Sequence, residues 1–431
     1  MTSTYMPRVR TREELESLQL SGLQWTVSHA YNGSSFYRNR FNEVGVRPED
    51  IKTLEDIRKL PFVTSKDLQE GYPFPLLSVP LESVVRIHAS SGTTGKRKVL
   101  CYTAKDIDDW ANMFARCYAF AGCAPADRIQ IAVGYGVWTA GVGFQNGCER
   151  FGAMSIPVGP GNLDMQCQFL EDFQTTVTGS TASMGLLLAE EIDRRGLRGR
   201  LALNKMIFGS ERSSDAMRVR ISDLSGVEPD QLFDIAGLTE LYGPGTGIDC
   251  RYHKGIHYWA DYYILEILNP DTLHPVQPGE VGEMVVTTLM KEGAPLVRYR
   301  TRDLTRIITE QCPCGSIMPM HDRILGRSDD MFIFRAVNIY PSHIDQLLSN
   351  ITGVGSEYQI HLTREADGKD EMLIRVERAI DCPIDDAGRI KKAIADEIKK
   401  QTLVSCTVDV VEYGTLPRSE RKTKRVFDSR N

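Results

Sequence analysis

Between Val99 and Leu238 short apolar runs alternate with longer amphipathic stretches, and this alternation limits the possible folds more than any other feature of the chain. Val99 to Tyr102 reads as a strand and Ala104 to Ala121 as an amphipathic helix; Asp127 to Val133 is a short strand of buried type. Met154 to Val158 and Thr175 to Gly179 read as further strands with helix between them, Met184 to Arg195 as helix, and Met206-Ile207-Phe208 as a strand leading into Gly209-Ser210-Glu211. Strands that take turns with helices predict an α/β architecture with largely parallel sheets, because a parallel pair needs a crossover helix between its members. Upstream, residues 11–60 read as helix and loop. Thr11 looks like an N-cap before the acidic first-turn residues Glu13 and Glu14, and residues 61–68 look like a loop entering another capped helix.

A chain of 431 residues has room for two or three domains with well-buried cores. The formal net charge of −6 gives no support for a nucleic-acid surface. No apolar stretch approaches membrane-spanning length, and Met1 to Arg10 lacks the apolar centre of a signal peptide, so a soluble, cytoplasmic protein is expected. Its ten cysteines are then expected as reduced thiols, with any special ones serving a metal.

The stretch carrying the most chemistry is Ser90-Ser91-Gly92-Thr93-Thr94-Gly95-Lys96. Its glycines let backbone approach a ligand, while four hydroxyls and a lysine supply donors and positive charge for a polyphosphate. It is not a Walker A loop, since only Thr93 and Thr94 separate Gly92 from Gly95. Further on, Ala236-Gly237-Leu238-Thr239-Glu240 offers a carboxylate of the kind that holds Mg²⁺ against ATP phosphates. Tyr299-Arg300-Thr301-Arg302-Asp303 offers another at the end of an expected strand, Val297 to Tyr299; an Asp there can accept both ribose hydroxyls. The glycine-rich segment Gly134 to Gly141 brings Tyr135 and Trp138 into a loop, as core filling or as one wall of a pocket for an aromatic ligand. Cys312-Pro313-Cys314-Gly315 forms a tight knuckle, and with Cys250 and His257 it supplies three thiolates and one imidazole, enough for tetrahedral structural zinc. His253 competes for the fourth place.

The loop Ser-Ser-Gly-Thr-Thr-Gly-Lys resembles the phosphate loop of the adenylate-forming ligases, which use ATP to activate a carboxylate as an acyl-AMP. From that loop to the C-terminus seven elements follow the order of the phenylacetate–CoA ligase branch of that superfamily. The most specific are Gly326-Arg327-Ser328-Asp329-Asp330-Met331, Val337 to Ser342, and Leu416-Pro417-Arg418-Ser419-Glu420-Arg421-Lys422. The resemblance implies a large N-terminal domain of mainly parallel sheets (residues 1–328) that binds ATP and acid, and a small mobile α+β C-terminal domain (residues 329–431). It puts Ser90, Ser91, Gly92, Thr93, Thr94, Gly95 and Lys96 on the ATP phosphates and gives Glu240 to Mg²⁺. Gly209, Ser210, Glu211, Ala236, Gly237 and Thr239 would border the nucleotide, with Asp303 and Arg327 on the ribose. Tyr135, Trp138, Ser210 and Pro244 would shape the acid pocket. Asp329 would be the hinge, and Lys422, with Lys96 and Glu240, would carry catalysis. Related members of the branch carry similar Cys and His residues at the knuckle, which favours zinc on Cys250, His257, Cys312 and Cys314.

The implied function is activation of an aromatic carboxylic acid followed by transfer to CoA, in a monomer or a homodimer. A carrier protein or an amine as acceptor, and a nucleotide-binding regulator without catalysis, are the alternatives. Four departures from the family pattern bear on the choice. Ala236 stands where a Tyr usually covers the adenine, Ser210 replaces an Ala beside the acid, Arg421 replaces a Gly before the lysine, and Ala336 replaces a Gly near the expected pantetheine path.

Overall fold

The computed structural model describes residues 5–90, 96–137, 139–210, 213, 215–330, 332–335, 337–364, 370–380, 382–402, 404–417 and 425–430. Two large hydrophobic cores organise them, with three smaller clusters beside the first. One is built from residues between Leu15 and Met318, the other from residues between Phe332 and Val408.

The alternating segments form one flank of a nine-stranded sheet. Met154–Pro157, Arg128–Ala132, Val177–Thr181, Lys205–Gly209 and Leu232–Leu238 lie side by side and parallel, joined through the helices Ala140–Phe151, Leu163–Asp172, Ala182–Arg194 and Asp215–Ser225. Beyond Leu238 the sheet continues antiparallel through Gly243–Ile248, Ile256–Tyr258, Met320–His321 and Ile307–Ile308. The connections there carry no helix, and those from Leu238 to Gly243 and from Ile248 to Ile256 are too short for a parallel crossover. The sheet is thus mixed, parallel where the sequence alternates and antiparallel where it does not.

Three further pieces surround the cavity described below. The hairpin Arg86–Ser90 and Lys98–Tyr102 pairs Ser90 with Lys98. An antiparallel sheet of Tyr263–Leu268, Gly282–Thr288, Tyr299–Thr305 and Gly326–Arg327 pairs Asp303 with Arg327. A C-terminal sheet of Thr407–Val411, Asp370–Arg378, Val354–Arg364 and Val426–Asp428 is covered by the helix Ala387–Thr402, whose Ile390, Ile394 and Ile398 are fully buried at the i, i+4, i+8 spacing of an amphipathic face.

Local chemistry fixes the element ends as expected at two places. Thr11 accepts the Glu14 N–H at the start of Arg12–Gly33, and Thr64 accepts that of Asp67 at the start of Ser65–Glu70. Elsewhere the structure corrects the sequence reading. The strand expected at Val297 to Tyr299 runs instead over Tyr299–Thr305, so Asp303 lies within it and not past its end. The strand expected at Thr175 to Gly179 is Val177–Thr181, all five residues buried.

Candidate active site

The C-terminal ends of the parallel strands, the hairpin and the Tyr299–Thr305 strand enclose a cavity of about 990 Å³, and Ser356 and Glu357 reach it from the C-terminal sheet. A crevice at the carboxyl ends of parallel strands is where open α/β sheets bind ligands. Of the residues expected at the site, Ser90, Tyr135, Ser210, Gly237, Thr239, Glu240, Pro244, Asp303 and Arg327 line it. Gly209 and Ala236 are not among its lining residues, although their neighbours Ser210, Ile235 and Gly237 are. Ser91, Gly92, Thr93, Thr94, Gly95, Trp138, Glu211 and Lys422 lie outside the described residues, as do Ala336 and Arg421.

Lys96 points elsewhere. It is exposed, with its ammonium 5.7 Å from the centre of the Tyr72 ring, in a surface depression with Lys66, Gln69 and Glu70. A lysine that does reach the cavity, beside Arg97, Arg302 and Arg327, is Lys98 at the start of the next strand, which forms an ion pair with Glu240. Sequence reading missed it because a lysine opening a strand is normally solvated; its only signal was its place two residues beyond the phosphate loop.

Glu240 is 5% exposed and also accepts the Tyr299 hydroxyl at 3.4 Å. Ser90 Oγ is screened from solvent and has no hydrogen-bond partner among the described residues. A buried hydroxyl without a partner is costly, so its place on the cavity wall fits a ligand that accepts from it. Ser210 takes φ +71°, in the left-handed region that non-glycine residues seldom occupy, and lines the cavity directly after its strand. Such backbone costs on the order of 1 kcal/mol or more and gathers at functional sites. The fully buried Trp110 donates its indole N–H to the Pro244 carbonyl at 2.7 Å, fixing the start of the strand Gly243–Ile248 that presents Pro244 to the cavity.

Arg327 stands at the far end. One guanidinium nitrogen donates to Asp303 Oδ1 at 3.1 Å, while Nε and Nη2 form a fork on Asp329 at 2.9 and 3.0 Å. Burial works against its charge, but Asp329, Asp303 and Asp330 outweigh it and raise the guanidinium further above its ordinary value.

A second cluster lies outside that cavity's lining. Donor atoms of Cys250, His257, Cys312 and Cys314 all fall within 4.8 Å of one another. Cys250 Sγ is 3.5 Å from Cys312 Sγ, and Cys314 Sγ is 3.4 Å from His257 Nε2. A tetrahedral zinc with bonds of about 2.3 Å to sulfur needs edges of about 3.8 Å, close to these separations. His257 Nδ1 donates to the Met318 carbonyl at 3.0 Å, which sets the tautomer that leaves Nε2 free to ligate. His253, the competing ligand, is instead held by Asp249 at 2.6 Å in a network with Arg218 and is not in the cluster.

Comparison with known proteins fits this geometry. Residues 42–290 match the model of the AMP-binding enzyme family, and residues 336–430 that of the AMP-binding enzyme C-terminal domain. The phenylacetate-coenzyme A ligase of Escherichia coli (strain K12) is 40% identical over 439 residues, covering 100% of this chain and 99% of the relative. The chain belongs to the phenylacetate-coenzyme A ligase family. Among solved structures, this family member resembles 2-hydroxyisobutyryl-CoA ligase in the postadenylation state in complex with 2-HIB-AMP, with TM-score 0.90 and 26% identity over 100% of this chain and 94% of the other. The same ligase in the thioesterification state with 2-HIB-AMP and CoA superposes less well, with TM-score 0.70 and 27% identity over 97% and 91% of the two chains. In this chain Tyr413 of the C-terminal region donates to Glu190 on the helix Ala182–Arg194, which also accepts from Arg220 at 3.3 Å.

Proposed function

We propose that this AMP-forming acid–CoA ligase activates an aryl monocarboxylic acid, of the phenylacetate class. The acid's carboxylate attacks the α-phosphorus of ATP to give acyl-AMP and pyrophosphate. The thiol of CoA then takes the acyl group and releases AMP. The observation that carries the reading is the convergence of Ser90, Glu240, Asp303 and Arg327 on one cavity that Tyr135 and Pro244 also line.

The proposed roles follow from residue chemistry. Ser90 to Gly95 bind the phosphates through backbone and hydroxyl donors, with Lys96 or Lys98 supplying charge. Asp303 accepts the ribose hydroxyls while Arg327 keeps its carboxylate in place. Lys422 neutralises charge that develops between carboxylate and α-phosphate. Glu240 is a hard oxygen ligand on the cavity wall and suits Mg²⁺, which screens phosphate charge when bound. Residues 329–431 form the mobile unit, a division supported by the separation of the two cores, with Asp329 as its hinge. Cys250, His257, Cys312 and Cys314 hold a structural zinc, since all four places are filled by protein.

A pyrophosphate-release screen over a panel of aryl acids, with and without CoA, tests the reading. The expected result is release that depends on the acid, with thioester appearing only when CoA is present. Acyl-AMP formation without thioester would transfer the proposal to a carrier protein or an amine as acceptor, and release with no acid would remove it.

A further inference from the structure

A fully buried lysine sits beneath the turn that presents Glu240. Lys291 has no solvent exposure, and its ammonium lies 4.3 Å from the centre of the Tyr102 ring and 4.8 Å from that of Tyr242. It donates to the Leu241 carbonyl at 2.8 Å and lies 3.5 Å from that of Glu240. Burying an ammonium among aromatic rings, with no ion-paired carboxylate among the described residues, is expensive, and burial pulls its pKa down to about 7. Two peptide carbonyls and two ring faces are therefore what it is there to hold.

Its own segment is pinned. Asp106, also fully buried, accepts the N–H groups of Glu292 and Gly293, both at 2.8 Å. A Cβ on Gly293 would stand 2.4 Å from the Cys101 carbonyl, so the segment lies directly against the strand that carries Lys98. The turn it holds is fastened on the other side by the Tyr102 hydroxyl, 3.3 Å from the carbonyls of both Thr239 and Tyr242. Asp106 thus fixes Lys291, and Lys291 fixes the peptides from which the Glu240 side chain departs.

We propose that Lys291 is a positioning residue for Glu240: by holding the carbonyls of residues 240 and 241 it aims the carboxylate into the cavity, and the divalent-metal dependence of adenylation rests on it. This builds on the reading of Glu240 as the Mg²⁺ ligand. Residues that orient a metal ligand affect metal affinity by roughly tenfold or more when removed.

The test compares Lys291→Met with Glu240→Gln and wild type in the full chain. Three readouts are taken: the Mg²⁺ concentration for half-maximal pyrophosphate release, Mn²⁺ affinity by electron paramagnetic resonance with a non-hydrolysable ATP analogue, and amide hydrogen exchange. Lys291→Met should weaken Mn²⁺ affinity about tenfold, raise the Mg²⁺ requirement equally, and speed exchange at residues 237–242 but not at the strands bearing His257 and Met320. Wild-type Mn²⁺ affinity, or faster exchange across the whole N-terminal core with activity lost in proportion, would overturn the proposal. If Glu240→Gln binds Mn²⁺ as wild type does, the metal reading of Glu240 fails by itself. The clamp then stands or falls on whether exchange at 237–242 rises in Lys291→Met. Should that variant not accumulate, Lys291→Gln, which keeps a shorter donor, should show the same changes at smaller size; wild-type values there would overturn the proposal equally.

Discussion

Changing Cys312 and Cys314 to serine together should remove one zinc per chain and lower stability while leaving adenylation intact. The magnitude follows from what the cluster ties together. Cys250 and Cys312 lie 62 positions apart, and a cross-link closing a loop of that length stabilises by about 4 kcal/mol through the unfolded state. The value counts loop closure alone, and the metal's own binding free energy adds to it. For a cooperative unit of roughly 330 residues the unfolding entropy is about 0.7 kcal/mol/K, so the melting temperature should fall by about 6 °C or more. The chemistry should be spared, since none of the four ligands lines the large cavity and a filled tetrahedral site has no place for substrate.

Metal analysis of protein purified without chelator gives the stoichiometry, thermal melting gives the shift, and pyrophosphate release below the melting range gives the activity. About one zinc in wild type, none in the double variant, and turnover within about twofold is the expected set. Zinc absent from wild type would refute the site, and zinc retained by the variant would refute the ligand assignment. Zinc lost with no change in melting would refute the structural role, as would adenylation failing before the fold does.

Lys422→Ala should lower adenylation about 10²–10³-fold, as removal of one preorganised donor does, while ATP binding stays near normal; a near-normal rate of acyl-AMP formation would refute the role. Ala336→Gly should speed single-turnover transfer from preformed acyl-AMP to CoA without changing adenylation, since one methyl fewer gives the pantetheine arm room; no thioester from either protein would refute the CoA acceptor. Burial pushes His88 down to about 3 and His321 to about 4. The unfolded chain therefore holds protons that the native state does not, and stability should fall as pH drops from 6.5 toward 4. The two together should cost about 3 kcal/mol between pH 6.5 and 5. Urea midpoints at pH 7.5, 6 and 5 measure this, and His321→Asn should flatten the dependence; an unchanged slope would refute the assignment.

The parts of the fold legible in sequence are those where period and burial agree. Parallel strands buried on both faces read as apolar runs, and the helices between them as amphipathic stretches. Where burial is achieved without apolar residues the signal disappears. Gly243–Ile248 reads Gly-Pro-Gly-Thr-Gly-Ile yet is a strand, because a Cβ at Gly245 would stand 2.5 Å from Phe114 and only glycine fits. Tyr299–Thr305 was hidden by its charges, which are met across the sheet: Arg300 pairs with Glu283 at 2.7 Å and Asp303 with Arg327. The same holds at the cavity. Ser90, Glu240 and Asp303 were expected there from their residue types and order, and all three line the cavity. Lys98 and Lys291 were not, since a lysine's burial and aim are set entirely by residues distant in sequence.

The arrangement around Arg327 gives a physical reason why a ribose residue and the proposed hinge lie two positions apart. A single guanidinium serves both, with one nitrogen on Asp303 and a two-pronged fork on Asp329. Asp303 and Arg327 face each other in neighbouring strands of the rigid N-terminal sheet, whereas the backbone beyond Asp330 enters the other core. In the proposed rotation the Asp329 backbone must turn, and its carboxylate cannot keep both bonds to a guanidinium fixed by its own strand. In the same rotation the Tyr413 hydroxyl would leave Glu190, which lies on the N-terminal helix Ala182–Arg194 and keeps Arg220. The arrangement closer to the postadenylation relative is therefore the one in which these polar pairs are made. Leaving it would exchange them for water or for new partners, so under the proposed roles nucleotide grip and domain position would be coupled through Arg327.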